Sequence, residues 1–123
     1  AYANAGNYLK AGILASRLTD YARAIEYLQR IPTGAPDYAA GTAFLATAFY
    51  YQGHHDMAYE LFSRVMNDLR INKDNLPAYY AYASQLESRD PKLSLATFRQ
   101  ILGVDVNYSD VLERAKKLEQ IVT

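Results

Sequence analysis

The sequence predicts an all-α fold of short helices paired into hairpins. Three observations carry this. Ala, Leu, Gln, Glu, Arg and Lys fill most windows, while β-branched residues are sparse and no stretch alternates cleanly over more than a few positions. Proline, glycine and capping residues punctuate the chain at regular intervals. A small residue followed four positions later by a large apolar one recurs as Ala24/Leu28, Ala58/Phe62 and Ser94/Phe98, with steps of 34 and 36 residues.

The elements follow in order. The opening stretch AYANAGNYLKAGILA is apolar on more than one side and lightly charged. Thr19-Asp20 can cap a helix through YARAIEYLQRI, which Pro32-Thr33-Gly34-Ala35-Pro36 must interrupt. Asp37 can cap the next, running to Gln52, and Gly53 marks a tight turn before a helix from His55-Asp56 to about Leu69. Asn75 can cap a helix opening Leu76-Pro77, and Asp90-Pro91 gives a cap followed by proline in the first helical position. Gly103 is expected to stop that helix in a left-handed conformation. Ser109 or Asn107 starts the last, SDVLERAKKLEQIV, making seven helices with mostly short connections.

Length and composition bound the rest. With 123 residues, half of them hydrophobic, the chain suits one soluble globular domain over 1–123. Thirteen basic residues balance thirteen acidic ones, which removes the broad electrostatic argument for nucleic acid. Without cysteine there are no disulfides and no thiolate chemistry. No apolar run approaches the ~18 residues of a membrane span. No signal peptide is legible, which slightly favours a cytoplasmic setting, although a chain opening Ala1-Tyr2-Ala3 without Met reads equally as a fragment or processed form. Twelve tyrosines and no tryptophan give large contact area with polar tips.

These residues resemble the tetratricopeptide repeat, a 34-residue helix–turn–helix with the pattern W-x₂-L-G-x₂-Y…A-x₃-F…P. The stretch 39–72 matches best: Leu45-Ala46 stands for Leu-Gly, Phe49 for Tyr, Gly53 for the turn, and Ala58 and Phe62 close the pattern, with Thr42 in place of Trp. Residues 5–38 keep Gly12, Ala24, Leu28 and Pro36. Residues 75–108 keep Phe98 and the Asp90-Pro91 turn, with Ser94 for Ala. Their first helix has two alignments, one on Ala81-Tyr82 and Gln85. The other, on Tyr79, Tyr82-Ala83 and Leu86, is preferred because it matches better at the expense of one turn residue. Residues 109–122, rich in charge (Glu113, Arg114, Lys116, Lys117, Glu119), resemble a solvating cap. The resemblance implies a right-handed α-α superhelix of three hairpins and a capping helix, acting in protein–protein interaction.

Catalytic and metal signatures are weak. His54 and His55 are the only histidines; adjacent helical side chains diverge by ~100°, and no further His or Cys completes a tetrahedral site. There is no G-x-S-x-G and no glycine-rich phosphate loop. Glu26, Glu60, Asp68, Glu87 and Glu113 have the spacing of solvated helix faces. The expectation is therefore a non-enzyme with no cofactor and no metal.

The aromatic run before the histidines is more informative. Leu45, Ala46 and Phe49 form a stripe the repeat assigns to the core. Ala40, Ala43, Phe44, Thr47, Tyr50 and Tyr51 form another at helical spacing. The resemblance places this second stripe in a concave groove, with Leu9, Lys10, Ile13, Ser16 and Arg17 as counterparts in the first repeat and Tyr80 in the third. The groove candidates are thus Leu9, Ile13, Arg17, Ala40, Ala43, Phe44, Thr47, Tyr50, Tyr51 and Tyr80. Some family members clamp acidic chaperone tails through Lys, Asn and Arg there; Leu9, Ile13, Phe44, Leu76 or Pro77, and Tyr80 or Ala81 occupy those places here. The expected partner is instead a peptide or helix with apolar or aromatic anchors. The alternative is homo-oligomeric assembly through the first helix or the repeat ends.

Overall fold

The structure, a computed structural model, describes residues 4–122. Among them are seven α-helices and no strand: α1 Ala5–Arg17, α2 Tyr21–Leu28, α3 Tyr38–Tyr51, α4 His55–Val65, α5 Leu76–Arg89, α6 Pro91–Val104 and α7 Val111–Val122, with α4 continuing into a single 3-10 turn, Met66–Asp68. The chain divides into two compact units, Ala1–Leu69 and Arg70–Thr123. In the first, α1 packs on α2, α2 on α3 and α3 on α4; in the second, α5 packs on α6 and α6 on α7. Consecutive helices therefore form hairpins, as the spacing predicts.

The first two hairpins turn in the same way. After α1, the Asp20 N–H donates to the Ala15 carbonyl (2.9 Å) and the Thr19 N–H to that of Ser16 (3.0 Å). After α3, the N–H of His54 reaches Phe49 (2.9 Å) and that of Gly53 reaches Tyr50 (3.0 Å). These paired bonds satisfy orphan carbonyls at a helix end and require a left-handed residue at the turn. Gly53 supplies it at φ 88°, whereas Thr19 adopts φ 57° despite its β-branch. The two positions are 34 residues apart. The third hairpin turns on Asp90 alone, whose carboxylate accepts the Leu93 N–H at 3.1 Å ahead of Pro91.

Small residues let the paired helices approach. A Cβ on Gly12 would lie 2.3 Å from Leu28 Cδ2, so α2 packs almost directly on the α1 backbone. Ala24, Ala46 and Ala58 are fully buried. In the second unit, buried Ser94 donates its hydroxyl to the Ala83 carbonyl at 2.7 Å, so the crossing falls on Ala83. Of the preferred set, Tyr79, Ala83 and Leu86 are buried and Tyr82 is half-buried; Ala81 and Gln85 of the other are buried as well.

Several boundaries differ from expectation. The second helix ends at Leu28, well before Pro32, and α4 gives way to the 3-10 turn after Val65. Asp20 does cap α2, accepting the Arg23 N–H at 3.2 Å. Asp37 and Asn75 hold N-cap positions without a side-chain capping bond. Asn75 instead braces its own loop, donating to the Arg70 carbonyl (2.9 Å) and accepting the Asn72 N–H (2.9 Å). Gly103 stays helical inside α6, and Gly53 is the only glycine with positive φ among the described residues. An exposed glycine near a helix end is tolerated at ~1 kcal/mol without ending the helix. The left-handed residue beyond α6 is Ser109, at φ 46°.

The helix α3 contains no charged residue and touches α1, α2 and α4. Phe44 and Ala48 join Ala15, Ala24, Leu28 and Ile31 in one core cluster, with Leu9 and Ile13 packed against it. In the second unit Leu86, Phe98 and Ile101 are fully buried, and α7, packed on α6, buries Val111, Ala115 and Leu118.

Candidate binding site

Four rings meet where α2 begins, α3 ends and α4 begins. Tyr51 stacks on Tyr21 with centroids 5.2 Å apart and planes 18° apart. Tyr50 meets Tyr51 edge-on at 5.2 Å and stacks on His55 at 5.0 Å. The turn at Gly53 brings His55 back beside the last turn of α3, and His54 meets Phe49 edge-on at 6.0 Å. Both histidines thus take part in ring packing, and among the described residues no three His, Cys, Asp or Glu side chains could hold a metal ion. Offset and edge-on pairs each add about 0.5–1.5 kcal/mol beyond burial, giving the array a fixed shape. Tyr51 remains 47% exposed.

The sequence-derived groove residues separate into three groups. Tyr51 and Arg17 are exposed, and Leu9, Ile13, Ala40 and Tyr50 are half-buried. Ala43, Phe44 and Thr47 are buried, and the Thr47 hydroxyl bonds back to the Ala43 carbonyl at 2.8 Å. A two-stripe reading presumes that one face of α3 is open, but three neighbouring helices cover most of it. These three side chains are therefore packing residues in this structure.

Tyr80 belongs to the second unit and is engaged there. Its phenol donates to the Asp110 carboxylate and accepts from Arg114 Nη1 at 2.9 Å. Its ring meets Phe98 (6.1 Å) and Tyr108 (5.9 Å) edge-on. The Arg114 guanidinium also donates to Ser84 Oγ at 3.0 Å and to the Glu87 carboxylate, and it lies over the Phe98 and Tyr80 rings at 5.1 and 5.3 Å. Burial works against its charge, but the Glu87 and Tyr80 acceptors outweigh this and hold its pKa above the ordinary arginine value. Burial, and then the neighbouring Tyr80 and Asp105, push the Tyr108 phenol upward.

This cluster corrects the solvated-face reading of Glu87 and of Arg114, whose side chains are 33% and 22% exposed. A signal was present: Arg114 lies three residues after Val111 and next to Ala115, at the edge of the apolar face of α7. On the outer faces of the other helices, ion pairs such as Arg64–Glu60 at 2.8 Å span one turn in solvent.

No protein-family model matches the chain, and no curated protein matches its sequence.

Proposed function

We propose that the chain is a non-catalytic protein–protein interaction module of the tetratricopeptide kind. Its first unit presents the tyrosine array to an extended segment or amphipathic helix with apolar or aromatic anchors. The observation carrying this reading is Tyr51, about half exposed yet held by Tyr21 and Tyr50 in a fixed orientation. A rigid, partly exposed aromatic with a polar tip supplies contact area at low entropic cost, and tyrosines are enriched among residues that dominate binding energy. The matching hairpin turns at Thr19 and Gly53 and the recurring small residues at the crossings support the family reading. Tyr80 has partners within its own unit, so the site rests on Tyr50 and Tyr51.

Peptides selected by display against the immobilised chain test this. Replacing Tyr50 and Tyr51 together by Ala should weaken the selected peptides by about 30-fold or more, the effect of a ~2 kcal/mol hot spot, with helicity retained. A folded double variant with undiminished affinity refutes the site. The homo-oligomeric reading is favoured by Leu14, in the last turn of α1, and Leu18, just past its end, 57% and 70% exposed. Sedimentation of a Leu14→Ser, Leu18→Ser chain tests it, and association unchanged by the substitutions rejects it.

A further inference from the structure

The helix α7 rests on a small apolar footing, with Val111, Ala115 and Leu118 as its buried residues. Its attachment is otherwise polar and specific. Arg114 reaches Ser84, Glu87 and Tyr80 of α5, and Glu119 meets Arg99 of α6 at 3.3 Å. The connection from α6, residues 105–110, is folded back by short-range bonds, Tyr108 N–H to the Asp105 carbonyl and Val111 N–H to that of Tyr108, both 3.2 Å. This fold-back holds Ser109 at φ 46°, a conformation disfavoured for any residue with a Cβ. Extended, six residues span about 20 Å.

We propose that α7 exchanges between two copies of the chain, so that the α7 of a second copy occupies the α5–α6 face. The occupant's chemistry is set by the helix now seated there: apolar residues at Val111, Ala115 and Leu118 flanked by the cation of Arg114. A second α7 reproduces every one of these contacts. The exchanged form differs only at the hinge, where Ser109 is free to leave its left-handed conformation. Strained connections of this kind favour exchange of an element between protomers.

Charge reversal in separate chains tests the exchange. Glu87→Arg and Arg114→Glu each set like charges across the clasp, so each variant alone should lose amide protection in α7. Refolded together at high concentration, an exchanged pair restores an opposite-charge contact at both sites. The mixture should then give a 1:1 dimer by native mass spectrometry, with α7 protection recovered. A mixture that stays monomeric, or whose dimers form equally in each variant alone, overturns the proposal and leaves association to α1 or to no site.

A second arm does not depend on the clasp variants folding. Single Arg99→Cys and Glu119→Cys chains, substituted at exposed positions of a cysteine-free protein, are mixed and treated with a short bismaleimide. Exchange predicts 99–119 cross-linked heterodimers in severalfold excess over 99–99 and 119–119 homodimers; equal yields overturn it. Ser109→Gly should lower the dimer share, because it relieves the closed hinge.

Discussion

Replacing Gly12, Gly41 and Gly103 by alanine makes one chemical change in three helical environments. Each substitution gains up to ~1 kcal/mol of helix propensity. At Gly103 a Cβ meets nothing within 4 Å, so most of that gain should appear as stability. At Gly41 the nearest atom is the terminal Ile31 Cδ1 at 2.6 Å, with the next at 3.7 Å; a methyl at the end of a side chain can swing aside, and the net change should be near zero. At Gly12 the new carbon would overlap both Leu28 Cδ2 (2.3 Å) and Cγ (2.4 Å). Rotating the outer bond of Leu28 cannot clear its own branch point, and this residue is only 3% exposed. Overpacking of this kind costs about 1–3 kcal/mol. With two inner atoms of a buried side chain overlapped, the cost falls in the upper part of that range, and after the propensity gain Gly12→Ala should be destabilising by about 1–2 kcal/mol. Gly12 and Gly41 lie in the same unit, so they form the decisive pair in urea denaturation followed by circular dichroism. If Gly12→Ala proves as stable as Gly41→Ala, the close approach of α2 to the α1 backbone does not carry the energy assigned to it.

Other outcomes follow from the same geometry. Thr19→Gly should stabilise the first unit by up to ~1 kcal/mol by removing left-handed strain, whereas Gly53→Ala should cost about as much; thermal melts of the pair should shift in opposite directions. Phe62→Ala, at a fully buried position, should cost about 3–5 kcal/mol in chemical denaturation. Burial raises the Tyr79 and Tyr108 phenols above their ordinary value of 10.0, so the folded chain keeps protons that the unfolded chain releases. Their contribution is complete below pH 10 and is lost as pH rises through the folded values, so the second unit should lose stability in alkali. Tyrosinate absorbance recorded with helicity checks this, and Tyr79→Phe should flatten the dependence.

Much of the fold was legible because its punctuation is chemically forced. Gly53 and Asp90-Pro91 admit few alternatives to a turn and a helix start, and the small residues at 12, 24, 46, 58 and 94 mark where helices must touch. What escaped has a physical reason in each case. Threonine at 19 adopts the left-handed conformation that glycine supplies at 53, because the two carbonyl bonds of the turn outweigh its local preference. Gly103 suggested a stop, yet Asp105 and the loop beyond it end the helix. The periodicity of α3 suggested an open face, but a helix with neighbours on three sides is apolar all round, and Phe44 and Thr47 lie inside. Arg114 and Glu87 look like surface charge one at a time; only the packing of α7 brings them together. The tyrosine array was half visible: Tyr50 and Tyr51 stood out, while Tyr21 and His55 join them only through the tertiary turn.

The uncharged helix α3 also bears on how the first unit comes into being. Its fourteen residues carry no charge and its middle, from Gly41 to Ala48, is almost wholly buried, with α1, α2 and α4 each supplying part of the cover. Phe44, Ala46 and Ala48 are buried at the centre of this packing, so local opening of α3 would expose apolar surface on a helix that has no charge to offset it. Its central amides should exchange only when the whole unit unfolds, making them the slowest-exchanging in the unit. During synthesis the same segment must wait, unshielded, until α4 has emerged, and it is then that the nascent chain is most exposed to aggregation.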